Sequence, residues 1–359
     1  MTRDARIQEI KNLEKLELRK LGVSDVMVPP MGIGAMFWSF NESNPNKDIF
    51  QIYCTCLDNG VNFFDTAEMY SNGGSERMLG ECLKKDGRPI IISSKFAPPS
   101  SMIPFSPKRK TVSKKSPRAL MEALDGSLKR LGVDCIDLYN MHAPPAHNTI
   151  EDYMDVMAEA VKAGKIRAVG VCNFSASQIR KAHARLAEYN IPLASAMVGY
   201  NILRRYPETN GVFEACRELN IALIPYSPLA QGILTGRYRT GENKILFAHR
   251  VLIYFSHWNI VKERDDPRSL IQRIFTKPRE LNNKKLEPLF KVMDEIAEEH
   301  NKTLAQVAIN WLISTEDVFV IPIPGMRNLK HVNSNLGTLG WRLTKEERDR
   351  INKAEIESH

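Results

Sequence analysis

The chain has 359 residues, 43% of them hydrophobic, with 50 Lys and Arg against 42 Asp and Glu, for a formal net charge of +8. That is enough apolar material for a large buried core, and the length suits one barrel or two average domains. Much of the positive excess sits in one run, from Lys108-Arg109-Lys110 through Lys114-Lys115 to Arg118, which excludes a uniformly basic surface built for nucleic acid.

From the N-terminus, Met1 to Leu18 is charged and lacks an apolar core, so it is not expected to act as a signal peptide. Residues 1–15 are read as an extension, and 16–359 as a single barrel domain. Leu16–Leu21 and Val26–Pro30 flank Gly22-Val23-Ser24-Asp25 and predict a small hairpin covering the N-terminal end of a barrel. Eight short apolar runs follow: Met31–Ala35, Val61–Phe64, Ile90–Ser94, Cys135–Met141, Ala168–Val171, Ala194–Val198, Ile221–Pro225 and Val318–Ile323. Runs apolar at consecutive positions suit parallel strands buried on both faces.

Amphipathic helices separate them. Leu120, Ala123, Leu124, Leu128 and Leu131 share one face of 117–131, with Ser116-Pro117 read as N-cap and first turn. Ile150, Met154, Met157 and Val161 repeat the pattern, and Gly164 reads as a stop. Ser175-x-x-Gln178, Thr303-x-x-Gln306 and Thr344-x-x-Glu347 have capping-box spacing. Strand and helix alternate eight times, which predicts an α/β fold, a (β/α)8 TIM barrel, against an open doubly wound sheet as rival. Long loops follow the third and seventh runs. The one carrying 108–118 is read as a solvated basic loop, and 241–283 as a lid in preference to a partner-binding flap or a poorly ordered insertion. No stretch is long and apolar enough to span a bilayer. The six cysteines are dispersed without metal-type spacing, which points to reduced thiols in a cytoplasmic compartment and to no metal.

Barrel enzymes keep their chemistry at the C-terminal ends of the strands. Polar residues fall there: Phe64-Asp65 with Tyr70 beyond, Ser94-Lys95, Asn140-Met141-His142, Cys172-Asn173, Tyr226-Ser227 and Gly325-Met326-Arg327. A carbonyl accepting hydride needs a proton, and a phenol can give one, although its usual pKa is about 10. Lys95 is expected to lower the Tyr70 pKa, Asp65 to hold Lys95 charged, and His142 to donate to the substrate oxygen. Any one of these alone reads equally well as a strand-end salt bridge or a satisfied core histidine; four at successive strand ends do not read as packing.

These segments resemble the aldo-keto reductase family. The resemblance lies in Val61-Asn62-Phe63-Phe64-Asp65-Thr66-Ala67-Glu68-Met69-Tyr70, Gly74-Ser75-Glu76, Asp137 to His142, Gly164 to Phe174, Tyr226 to Gly232 and Ile321 to Gly325. It runs from about residue 18 to about residue 352. It implies NADPH or NADP+ bound without a Rossmann fold, and Gly32-Ile33-Gly34 is only a lone GxG. By position, the resemblance makes Asp65, Tyr70, Lys95 and His142 the catalytic set. It puts Asn173 on the nicotinamide carboxamide, Tyr226 against its ring, and Ser227, Pro228, Leu229 and Gln231 along the pyrophosphate, with Arg237 as a clasp. Arg327 would meet the 2′-phosphate, beside Gly325 and Met326, and Asn335 the adenine. Gly34, Ala35, Met36, Asp65, Cys172, Met197 and His331 complete the implied cofactor contacts.

Departures from the family pattern are Cys172 where Ser is usual, Met197 and Gly199 for Gln and Glu, and His331 and Ser334 near the adenine. They bear on cofactor grip more than on reaction type. Phe37, Trp38 and Phe96, with Tyr70 and His142, are expected to face an apolar or ring-bearing substrate. The expected activity is reduction of an aldehyde or ketone, a small-molecule carbonyl, with no nucleic-acid or membrane partner; monomer and homo-oligomer fit the sequence alike. A second reading is a redox-sensing regulatory subunit resembling the potassium-channel β-subunit branch, although Tyr226 stands where that branch favours Trp.

Overall fold

The computed structural model of the chain describes residues 16–39, 48–99, 116–239 and 283–357. The expectations for 1–15, for most of the basic run 108–118 and for nearly all of 241–283 fall outside these residues. The chain forms two compact units. One comprises residues up to Val198, Pro207–Tyr226 and Glu316–Asn333; the other comprises Gly199–Tyr206, Ser227–Thr315 and Ser334 onward.

In the first unit, β1 (Arg19–Lys20) and β2 (Met27–Val28) pair antiparallel as the predicted hairpin. Seven strands follow in one sheet whose spatial order is the chain order: β3 (Ile33–Gly34), β4 (Phe63–Asp65), β5 (Ile91–Phe96), β6 (Ile136–Met141), β7 (Ile166–Cys172), β8 (Leu193–Gly199) and β9 (Ala222–Tyr226). Each neighbouring pair from β3 to β8 is parallel. Helices Ile49–Asp58, Gly74–Asp86, Ala119–Leu131, Ile150–Lys162 and Ala176–Ala187 connect them. β5, β6 and β8 are buried at every position, as strands covered on both faces must be.

The eighth apolar run closes the barrel without a full ladder. Ile321 and Ile323 donate backbone N–H groups to the Leu223 and Pro225 carbonyls at 2.9 and 3.2 Å. On the other side the Pro322 and Pro324 carbonyls accept from Gly32 and Gly34, both at 3.0 Å. Proline has no N–H to return, so this side carries only half of its bonds, and the run remains a set of bridges between β9 and β3.

Leu21, Val26 and Val28 of the hairpin share a core cluster with Phe63, Ile91, Leu138, Ala168 and Ala222 from the early parts of the strands. The hairpin therefore plugs the N-terminal end of the barrel. All three expected capping boxes form. Ser175 and Gln178, and Thr303 and Gln306, exchange side-chain and backbone bonds, and Thr344 and Glu347 do the same at 2.7 and 3.2 Å. A fourth box, Thr149 with Asp152, opens Ile150–Lys162. The helix expected from Ser116-Pro117 begins at Ala119, and the Ser116 hydroxyl accepts from the Arg118 N–H at 3.3 Å.

The second unit is helical. In it, Asn310 on Leu304–Ile313 donates to the Thr338 and Trp341 carbonyls, each at 3.0 Å, and the Trp311 indole donates to Asn352 at 3.0 Å.

Candidate active site

Asp65 ends β4, Lys95 stands next to last on β5, and His142 directly follows β6. Tyr70 lies in a turn beyond β4 where Ser71, Asn72 and Gly73 all have positive φ, at 51°, 52° and 77°. Non-glycine residues there cost about 1–3 kcal/mol each, and such strain concentrates at functional sites. All four residues belong to the first unit.

Lys95 is fully buried, and its ammonium donates to Asp65 Oδ2 at 2.6 Å and to the Thr66 carbonyl at 2.7 Å. Ser93 donates to the other Asp65 oxygen at 2.8 Å. Lys95 Nζ lies 4.7 Å from the Tyr70 ring centre. The Tyr70 and His142 rings meet edge to face, with centroids 5.8 Å apart and planes at 81°. The His142 backbone N–H is fixed on the Phe96 carbonyl at 2.8 Å.

Charges follow from this packing. Burial opposes the Lys95 charge, but the Asp65 carboxylate, then Tyr70, outweighs it and holds the ammonium above its ordinary range. Burial raises Asp65, against the pull of Lys95 and the hydrogen bond from Ser93. Burial, then the Lys95 charge, presses His142 down to about 3, so its imidazole is neutral. The sequence-based expectation for Tyr70 is corrected: Lys95 does pull its pKa down, but burial is larger and the phenol ends above its ordinary value. At neutral pH Tyr70 is a phenol with a proton to give. Burial pushes the neighbouring Cys172 thiol up to about 12, so it too is uncharged.

Asn173 adopts a left-handed conformation, φ 61°, with its N–H on the Met197 carbonyl at 2.9 Å. Its amide donates to the His142 carbonyl at 3.2 Å and accepts from the Tyr226 hydroxyl at 2.8 Å. The Met197 side chain is buried in the core. The Trp38 indole donates to the Met326 carbonyl at 2.9 Å, and the Arg327 guanidinium lies 3.6 Å from the centre of the Phe37 ring. Of the residues expected to face substrate, Phe37 is half-buried, whereas Trp38 packs against Phe64 and Phe96 against Tyr153 inside the core. Ala35 binds the Asp65 carbonyl through its N–H at 2.8 Å, after Gly34 at the end of β3, and Met36 is exposed. The His331 N–H is held by Asn328 at 2.9 Å.

Ser227, Pro228, Leu229, Gln231, Arg237 and Asn335 belong to the second unit. There Ser227, Ala230, Gln231 and Gly232 all have positive φ, and the Gln231 amide donates to the Ser227 hydroxyl at 2.8 Å. The Arg237 guanidinium lies 5.2 Å from the Tyr238 ring centre. Asn335 is buried, and its Nδ2 has no hydrogen-bond partner among the described residues.

Sequence reasoning missed the support around the site. Glu68 accepts from the Ala97 N–H at 2.8 Å, and fully buried Glu76 takes Ser94 at 2.5 Å and Arg130 at 2.6 Å. Alternation along β5 is the signal for it: Ser93 and Lys95 share one face with Asp65, and Ser94 takes the other.

The order of these features along the chain has a counterpart among known proteins. A family model described as "Aldo/keto reductase family" matches residues 30–356. The chain belongs to the aldo/keto reductase family. Its relatives include a chloroplastic pyridoxal reductase of Arabidopsis thaliana, 32% identical over 95% of this chain and 87% of that protein. Another is an NADP(+) aldo-keto reductase of Schizosaccharomyces pombe, 32% identical over 94% of this chain and 92% of that protein. The fold matches the crystal structure of a thermostable aldo-keto reductase, with a TM-score of 0.68, 24% identity and coverage of 94% of this chain and 100% of that one. It also matches a glycerol dehydrogenase of Gluconobacter oxydans, with a TM-score of 0.72, 22% identity and coverage of 94% of each chain. Members of the family are oxidoreductases of carbonyl groups that generally use NAD(P)H. Among the described residues no His, Cys, Asp or Glu cluster could hold a metal, and no helix is long and apolar enough to cross a membrane.

Proposed function

We propose that this chain reduces an aldehyde or ketone to an alcohol with NADPH, Tyr70 being the proton donor. The observation that carries the reading is the buried Lys95–Asp65 ion pair beside a protonated Tyr70 and a neutral His142. The nicotinamide, when bound, supplies the hydride to the carbonyl carbon. Negative charge then develops on the carbonyl oxygen, and the Tyr70 hydroxyl gives it a proton. The phenolate left behind is stabilised by the Lys95 ammonium, which Asp65 keeps charged. His142 donates a hydrogen bond to the same oxygen from its uncharged ring and orients the substrate.

The residues present fit the cofactor. Buried Asn335 has an orphaned amide donor of the kind an adenine nitrogen satisfies. Tyr226 and Asn173, joined by their 2.8 Å hydrogen bond, would hold the nicotinamide ring and carboxamide. Arg327, with Gly325 and Met326 before it, would take the 2′-phosphate through its fork of donors. Ser227, Pro228, Leu229, Gln231 and Arg237 keep the pyrophosphate roles that family membership implies, and Gly34, Ala35, Met36, Cys172, Met197 and His331 their lesser ones. Half-buried Phe37 stacks under the Arg327 guanidinium, whereas Trp38 and Phe96 are packed in the core, so none of the three carries the substrate assignment. All six cysteines are thiols, which supports a reducing, cytoplasm-like compartment.

The test is cofactor oxidation by the purified chain against a panel of aldehydes and ketones, pyridoxal included, with NADPH and with NADH. Substrate-dependent oxidation preferring NADPH is expected, and Arg327→Ala should weaken NADPH roughly ten-fold more than NADH, the effect of one charged hydrogen bond. Tight NADPH binding without turnover on any carbonyl would contradict the reading.

A further inference from the structure

A line of buried polar side chains runs across the barrel interior and ends on Asp65. Asn140 on β6 places its Nδ2 3.1 Å from the Ser93 hydroxyl and 3.1 Å from the Ser94 carbonyl. Ser195 on β8 lies behind it, its hydroxyl 3.5 Å from Asn140 Oδ1. Ser93, Asn140 and Ser195 are fully buried.

The hydrogen positions in this line are determined by chemistry. The Ser94 carbonyl only accepts, so the amide face of Asn140 turned to it must be the nitrogen. That nitrogen has only hydrogens to offer, so the Ser93 oxygen accepts from it. Ser93 has one proton, and Asp65 Oδ1 at 2.8 Å is where it goes. The Asn140 oxygen is left for the Ser195 hydroxyl. Every donor therefore points the same way, from Ser195 through Asn140 and Ser93 to the carboxylate. In a dry interior such aligned bonds polarise one another.

The barrel makes room for this line at one position. A Cβ on Gly170 of β7 would sit 2.1 Å from Asn140 Oδ1 and 2.4 Å from Ser195 Oγ. A polar line serving packing alone could end anywhere; this one ends on the oxygen of Asp65 that Lys95 does not use. The titratable groups facing Asp65 are Lys95, Tyr70 and Cys172, of which only Lys95 is charged at neutral pH.

We propose that Asn140 is a positioning residue for carbonyl reduction. Through Ser93 it fixes the ionised Asp65, and with it Lys95 and the Tyr70 proton donor, while Ser195 anchors the amide from behind. The inference rests on the proposed catalytic set.

The test compares the full chain with Asn140→Leu, Ser93→Ala and the double variant. It uses a carbonyl that the wild type turns over and follows kcat against pH, the NADPH dissociation constant and thermal unfolding. Ser93→Ala should lower kcat roughly ten-fold, as expected for loss of a hydrogen bond to a charged group, and Asn140→Leu, which acts through Ser93, roughly several-fold. Each should also move the acid limb of kcat toward neutral by about one pH unit, with NADPH binding unchanged. The double variant should be no worse than Ser93→Ala, because both act through one oxygen. Ser93→Ala removes a single oxygen and carries the test by itself if Asn140→Leu fails to fold. Single variants with wild-type kcat and acid limb, or losses that add in the double variant, would overturn the relay while leaving the catalytic set standing. A wild type without turnover on any carbonyl would overturn both.

Discussion

Burial and the Lys95 ammonium together press the His142 imidazole down to about 3, so at neutral pH one ring nitrogen donates and the other accepts. A charged ring there would repel Lys95; a neutral one can share a substrate oxygen with Tyr70. The shift has a consequence for stability. An unfolded chain protonates this histidine near its ordinary value of 6.5, whereas the folded chain refuses the proton until about 3. Between those values the unfolded state binds more protons, so stability falls as pH falls. Asp65, whose pKa burial raises, acts in the opposite sense, so the difference between wild type and variant is the readout. Denaturant unfolding at pH 7 and pH 5 should show a smaller acid loss for His142→Gln than for the wild type; equal losses would show that His142 is not held neutral. The identities of Asp65, Lys95 and His142 are legible in the sequence because each falls at a strand end, and Tyr70 because it stands in the loop just beyond one. Their charges are not, because burial is a property of the packed barrel, and for Tyr70 it reverses the direction that Lys95 alone would give.

At the scale of elements, the hairpin shows how the fold separates stability from chemistry. Gly22 turns between β1 and β2 with φ +59°, and a Cβ there would sit 2.6 Å from the Ala194 carbonyl oxygen and 2.9 Å from that of Asn220. Backbone cannot yield as a side-chain tip does, so Gly22→Ala should cost about 2 kcal/mol by overpacking. The hairpin plugs the end opposite the proposed catalytic residues, so kcat should be unchanged while Tm falls. An unchanged Tm would mean the hairpin does not seal the barrel. Three capping boxes were legible because Ser or Thr stands three residues before Gln or Glu; Thr149 was missed because Asp152 takes that place. The eighth apolar run reads as a strand by composition, yet Pro322 and Pro324 withhold the N–H groups that a ladder toward β3 needs.

For the whole molecule, eight apolar runs alternating with helical patterns predicted the barrel, and the strand-end rule then picked out the proposed catalytic residues. The interior line from Ser195 to Asp65 was not legible. It depends on which residues face inward across several strands, and the register shifts between Val169 and Gly170 where β7 meets β8. Asn140 could be seen as a strand-end amide, but its bond to Ser93 could not. Tyr70 is proposed as the proton donor of an NADPH-dependent carbonyl reductase, held by that interior. Turnover of wild type and Tyr70→Phe on one reducible carbonyl, with NADPH binding measured in parallel, tests this most directly. The variant should lose turnover by roughly 100-fold or more, the scale of a general acid, with NADPH binding unchanged. Near-normal turnover by Tyr70→Phe would contradict it.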